Sequence, residues 1–146
     1  MTTTEPSLNR WHPWRVLRDE YPDVDVVFCR FNGRRRGETD GETIWLDERL
    51  SQAQRRCVLT HELWHIRRGI LPADRAEERQ CDVLAARELI PLGVLIDGFR
   101  WTLRPKELAT HLWVDMHTLS VRLDTLDPIE VAQVEIQTDG AWWQWR

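Results

Sequence analysis

The sequence predicts an α+β fold, a small sheet lying over helices, and three observations carry that reading. Residues 24–31 (VDVVFCRF) and 42–46 (ETIWL) are β-branched and aromatic runs separated by turn residues. Between Ser51 and Gly69 lies a helix with both ends marked. Beyond it, residues 76–90 and 107–126 repeat their apolar positions at helical spacing.

With 146 residues, 42% of them hydrophobic and 30% charged, the chain can bury a core as one domain or as a domain with a small appendage. The expected division is a main domain over residues 1–100 and a helical extension over 101–146. No apolar run approaches the roughly 18–20 residues that span a bilayer, so no membrane association is expected. The opening stretch MTTTEPSLNRWHPW has neither a basic start nor an apolar segment, unlike a secretory signal, and a cytoplasmic location is expected. Cys29, Cys57 and Cys81 are odd in number and lack CxxC spacing, which suits reduced core thiols. A net charge of -4 argues against a protein that coats nucleic acid through a Lys/Arg excess. The nine tryptophans are read first as core and rim filler.

In chain order, Pro13 suits a first helical position, and Trp14, Leu17 and Tyr21 follow at spacings of three and four, predicting a short amphipathic helix over 11–21. Residues 24–31 form a strand ended by the Asn32-Gly33 turn signal. Residues 34–41 make a polar loop, and 42–46 a second strand antiparallel to the first, whose edge could accept an extended peptide. Ser51 and Gln54 make a capping box, while Arg67 and Arg68 near the negative end and Gly69 close the helix. A second helix over 76–90 stops at Pro91. Two short helices share 107–126, joined around Val114 and Asp115. The tail 131–146 alternates in VEIQ, turns at Asp139-Gly140 and is read as a hairpin.

The chemistry lies in His61-Glu62-Leu63-Trp64-His65, an HExxH sequence inside the capped helix. Positions four apart lie about 40° apart around a helix axis and one turn along it, so both imidazoles can reach one cation. Glu62 then stands beside them, within reach of a water that the cation activates. Two imidazoles leave a catalytic zinc short of one protein ligand. Glu78 follows on the next helix, with Asp82 four residues on and on the same face, the spacing of a ligand and an acceptor for an imidazole N–H. Glu78 falls within about 20° of Ala85 and Leu89 on the helical wheel, where a buried carboxylate wants a partner. Glu77 is the rival ligand, although it has Cys81 rather than an acid four residues on.

HELWHIRRG followed by EERQCDVLAARELIP resembles the ImmA/IrrE family of small cytosolic metallopeptidases, which show HELxH and then Glu-x-x-Ala-Asn-x-Phe-Ala-Ala-x-Leu-Leu-x-Pro. The likeness covers about residues 42–126. Cys81, Asp82, Leu84 and Glu88 depart from that pattern, and Glu88 is the least conservative, suggesting a more exposed helix end. The resemblance implies a zincin-like fold (a minimal gluzincin) with a zinc cofactor. It also implies His61, His65 and Glu78 as metal ligands and Glu62 as catalytic base. Its implied activity is zinc-dependent endopeptidase action on, or inactivation of, a helix-turn-helix repressor.

An oxyanion formed during hydrolysis needs a further donor, for which Tyr21, His111, His117 and Arg104 are open candidates. Residues 107–126 themselves resemble a helix-turn-helix frame, but Arg104, Lys106 and Arg122 are offset by Glu107, Asp115, Asp124 and Asp127, so direct DNA binding is not expected. Rival readings are a non-proteolytic regulator that binds a repressor or DNA through the same fold, and a toxin–antitoxin component.

Overall fold

Ile44 and Leu46 are fully buried, and the strand that carries them is the middle one of three. In the computed structural model, which describes residues 10–142, the chain runs α1 (Pro13–Glu20), β1 (Asp25–Cys29), β2 (Gly37–Thr39), β3 (Thr43–Asp47), α2 (Gln52–Arg67), α3 (Arg75–Leu89), α4 (Leu92–Trp101), α5 (Pro105–Leu112), α6 (Met116–Asp124) and α7 (Pro128–Thr138). The α+β class holds, and no described helix is long and apolar enough to cross a membrane.

The sheet corrects the expected hairpin. Strands β1 and β3 run parallel, with Asp25 opposite Thr43 and Cys29 opposite Asp47. The partner of β3 on its other side is β2, drawn from the segment read as loop, and it runs antiparallel with Gly37 opposite Leu46. Gly33 does turn the chain, at φ +74. The tight return lies later, where Asp40 accepts the N–H groups of Glu42 and Thr43 and Gly41 sits at φ +96. A three-residue strand reading Gly-Glu-Thr has no apolar alternation for a pattern to register.

Helix α2 begins as expected. Ser51 Oγ accepts from the Gln54 N–H at 3.2 Å, and Gln54 Oε1 accepts from the Ser51 N–H at 2.8 Å. It is buried on several sides because it separates two cores. Val58, Leu59 and Leu63 pack under the sheet, while Cys57 joins a larger helical core. That second core includes Leu89, Leu95, Leu108, Leu119, Val134 and Trp142, so it draws on residues from both sides of position 100. After α2, Gly69 takes φ +83 and Ile70 takes φ +55. A left-handed conformation costs a β-branched residue about 1–2 kcal/mol, partly offset as the Ile70 N–H donates to the His65 carbonyl at 2.9 Å.

Helices α5 and α6 meet at Trp113–Asp115 as anticipated, with Trp113 at φ +57. Buried Arg56 fixes this junction to α2 by donating to the Trp113 carbonyl at 2.8 Å and to the Trp11 carbonyl at 3.0 Å. Helix α4 was not anticipated. Gly93 and Gly98 weaken its helical signature, but Gly98 is needed for packing, since a Cβ there would lie 2.7 Å from Leu108 Cδ1.

The terminal hairpin is also corrected, because residues 128–138 form α7. Asp127 and Glu130 make a capping box, and Asp139 at φ +52 and Gly140 at φ +74 end the helix. The alternation that suggested a strand places Val134 fully inside and Ile136 at 73% exposure, as two residues 200° apart on a helix also do. Residues 143–146 lie outside those described.

One buried ion cluster ties α3, α6 and α7 together. Arg122 donates to the Ile90 carbonyl at 2.7 Å and to Glu130 Oε2 at 2.6 Å, and Arg87 donates to Glu130 Oε1 at 2.9 Å. Burial works against the Glu130 charge, but the donors around it hold its pKa down at about 2. Because the folded value lies below the ordinary one, this stabilisation is complete above about pH 5 and fades as the pH falls towards 2. Glu130→Ala should cost about 3–5 kcal/mol at pH 7 by leaving Arg122 unpaired. Urea unfolding of both proteins at pH 7 and pH 3 should show the gap narrow in acid.

Candidate metal centre

The HExxH residues lie on the one stretch of α2 where the helix floors a cleft. His61 and His65 meet edge to face, with ring centroids 4.9 Å apart and Nε2 atoms 3.1 Å apart. Helix α3 packs beside α2 and brings Glu78 to the same point. Its Oε2 is 2.9 Å from His61 Nε2 and its Oε1 is 3.1 Å from His65 Nε2. Each ring has its other nitrogen engaged: His61 Nδ1 stands 2.8 Å from Asp82 Oδ1, and His65 Nδ1 stands 3.5 Å from Cys81 Sγ. Those outer contacts fix both rings with Nε2 turned inward.

The donor set fits a divalent cation. Tetrahedral bonds of about 2.0–2.1 Å set neighbouring ligand atoms about 3.3 Å apart, close to the 2.9–3.1 Å triangle seen here. Two imidazole nitrogens facing one another at 3.1 Å need a positive centre between them or a proton on one. Two imidazoles with a carboxylate are a usual donor set for zinc.

Glu77, the rival, is held elsewhere. Although it lies near His65 and Cys81, its carboxylate accepts three hydrogen bonds from Arg68, at 2.7–3.0 Å. The difference arises from one helical step of 100°. Glu88 also finds its reason: it accepts from Trp64 Nε1 at 2.9 Å and from Arg67 at 2.9 Å, so the unusual residue ties α3 to α2.

Charge around the cluster is unevenly shared. Burial lowers the His61 pKa, but its bonds to Asp82 and Glu78 prevail and raise it to about 10. His65 is pushed down, by burial and then by the charge of His61. The bond from His61 holds Glu78 below the usual carboxylate range. Asp82, despite its burial, is held well below that range by His117 and His61. Glu62 is only 6% exposed, and burial raises its pKa to about 7.

A cleft of about 460 Å³ opens over these groups. Helix α2 is its floor, residues 35–39 form one wall, and α3 with α6 form the other. Sequence reasoning missed what Gly37 does on the first wall. A Cβ there would lie 2.5 Å from Val58 Cγ1 and 3.2 Å from Glu62 Oε1, so the missing side chain lets the strand backbone close on the Glu62 carboxylate. The signal available was an isolated glycine in a short polar run. Across the cleft, Arg36 reaches Asp115 at 3.3 Å.

Of the four oxyanion candidates, His117 lines the cleft and bonds Asp82 Oδ2 through Nε2 at 3.0 Å. The other three do not line it. His111 stacks on Trp101, Arg104 is 82% exposed beside Glu107, and Tyr21 packs against the sheet-side core. Asp82 therefore serves two histidines, one from α2 and one from α6.

The family model described as IrrE N-terminal-like domain, a peptidase family, matches residues 19–124. That span takes in every side chain of the cluster and begins earlier than the motifs alone suggested. No curated protein and no solved structure matches the chain significantly.

Two measurements probe the centre. Zinc titration should give one ion per chain for the native sequence and none for His61→Ala, with Asp82→Ala binding about 10–100-fold more weakly. Gly37→Ala should leave that affinity within about threefold while perturbing the environment of Glu62, read as a changed pH dependence of activity.

Proposed function

This chain belongs to the IrrE N-terminal-like domain family of metallopeptidases, and on that premise we propose that it is a cytoplasmic zinc endopeptidase directed at one helix-turn-helix transcriptional repressor. The observation that supports this best is the convergence of His61, His65 and Glu78 within 3.1 Å of one another, with Glu62 beside them on the floor of an open cleft.

In this reading His61, His65 and Glu78 hold the ion. Zinc bound there would supply Lewis acidity, polarising the peptide carbonyl and making water acidic enough to ionise near neutral pH. Everything else is work for the chain's own residues. Glu62 takes the proton from the attacking water at its carboxylate and hands it to the departing amine. Its burial and the nearby backbone of Gly37 keep that carboxylate in one place. Asp82 keeps the proton of His61 on Nδ1, so that Nε2 stays available. His117, anchored by the same carboxylate, is the candidate to donate to the oxygen that gains charge.

The substrate lies along β2. Among the described residues that strand is an edge of the sheet, so its outer backbone groups can pair with an extended peptide. A folded protein cannot enter as a single strand unless a segment of it unravels, which restricts the targets and suits an enzyme that must spare its neighbours. The α4–α7 face is not needed for DNA contact in this reading, since specificity resides in the protein target.

The deciding experiment is Glu62→Gln, assayed against a candidate helix-turn-helix repressor. The variant should retain one zinc per chain and lose cleavage by about 10²–10⁴-fold, followed by gel and mass spectrometry. Undiminished repressor inactivation by Glu62→Gln would instead support a regulator that acts by binding.

A further inference from the structure

The cleft is polar at one end and apolar at the other. Arg36, Asp115 and Thr118 line the end near Cys57, where the Asp115 N–H reaches Cys57 Sγ at 3.4 Å. Ile70, Leu71 and Ala73 line the end beyond His65. Along α2 the two ends are separated by about eight residues, or roughly 12 Å. Ile70 and Leu71 are large apolar residues left 40% and 46% exposed.

Two observations mark Ile70 as held where it is for the sake of its side chain. Its backbone lies at φ +55, a conformation that glycine adopts freely and asparagine readily, but that opposes a β-branched residue. Its side chain also reaches the β2–β3 turn, with Cγ1 3.2 Å from where a Cβ on Gly41 would stand. Ile70 thus closes the end of the cleft against the turn that follows β2, while leaving much of its surface open to whatever lies in the cleft.

We propose that Ile70, with Leu71 beside it, forms an apolar subsite that selects an aliphatic or aromatic side chain on the N-terminal side of the scissile bond. The side follows from strand direction. Strand β2 runs from Gly37, beside Glu62, towards the turn at Gly41, beside Ile70. A peptide pairing antiparallel to β2, the stronger geometry, runs the opposite way and lays its N-terminal residues at the Ile70 end. The subsite rests on the peptidase reading above, and it adds the chemistry of the side chain that the enzyme chooses.

The test is a mixed peptide library incubated with the zinc-loaded full chain, with cut sites read by mass spectrometry. Leucine, isoleucine, valine, methionine and phenylalanine should be enriched N-terminal to the cut by about fivefold to tenfold over polar residues. In Ile70→Asn, which removes the apolar surface and suits the left-handed backbone, the enrichment should fall below about twofold with the unfolding midpoint unchanged or raised. Ile70→Gly gives the same reading if the asparagine variant does not fold. Binding supplies a readout without turnover. A labelled peptide from the strongest cut site should bind zinc-loaded Glu62→Gln about fivefold tighter than its asparagine counterpart, and the two should bind alike once Ile70→Asn is added. Cutting or binding without this preference, a preference that survives Ile70→Asn, or enrichment only on the C-terminal side overturns the subsite alone. Neither cutting nor binding of any library peptide by the native chain overturns the peptidase reading and the subsite with it.

Discussion

Glu78 facing His61 and His65 is the constraint on which the rest of the molecule depends. Two imidazoles and a carboxylate crowd their inward atoms to within 3.1 Å of one another, and without a positive centre that arrangement is costly. The carboxylates of Asp82 and Glu78 favour positive charge at this point and raise the His61 pKa despite its burial. A divalent ion held by all three groups would meet the same demand. Helices α2 and α3 must therefore pack closely and in one register, and Glu88 with Arg67 and Trp64 secures that register one turn from the site.

Asp82 extends the constraint to the C-terminal half of the chain. One of its oxygens holds His61 and the other holds His117, so three helices meet at a single carboxylate. Arg56 reinforces the arrangement from the other side by anchoring the junction before α6 to the body of α2. Helix α6 is thus part of the cleft wall, and the buried cluster of Arg122, Glu130 and Arg87 ties it to α3 and α7.

The sheet contributes through its edge. Ile44 and Leu46 put β3 at the centre, and β2 is left on the side that faces α2. Gly37 allows that edge to lie directly over Glu62. A buried carboxylate, an edge strand and a candidate metal-binding cluster consequently share one cleft, although they come from separate segments of the chain.

Much of this was legible in the sequence. Helix α2 carried its own caps, and the spacing of His61 and His65 fixed both rings on one face because helix geometry is local. The choice of Glu78 over Glu77 had support from the acid at position 82, but the two glutamates share one apolar margin, and only the docking of α3 turned one towards the imidazoles and the other towards Arg68. Strand β2 was invisible because three polar residues become a strand only when a buried neighbour offers hydrogen bonds. Helix α4 is hidden by its two glycines, of which packing requires Gly98, and α7 by an alternation that strand and helix satisfy equally. The sequence by itself determined which groups could bind a cation, since that depends on residue type and on spacing within single helices. Which of them meet, and what surrounds them, was decided by tertiary packing, because those contacts join residues far apart in the chain and nothing local records them.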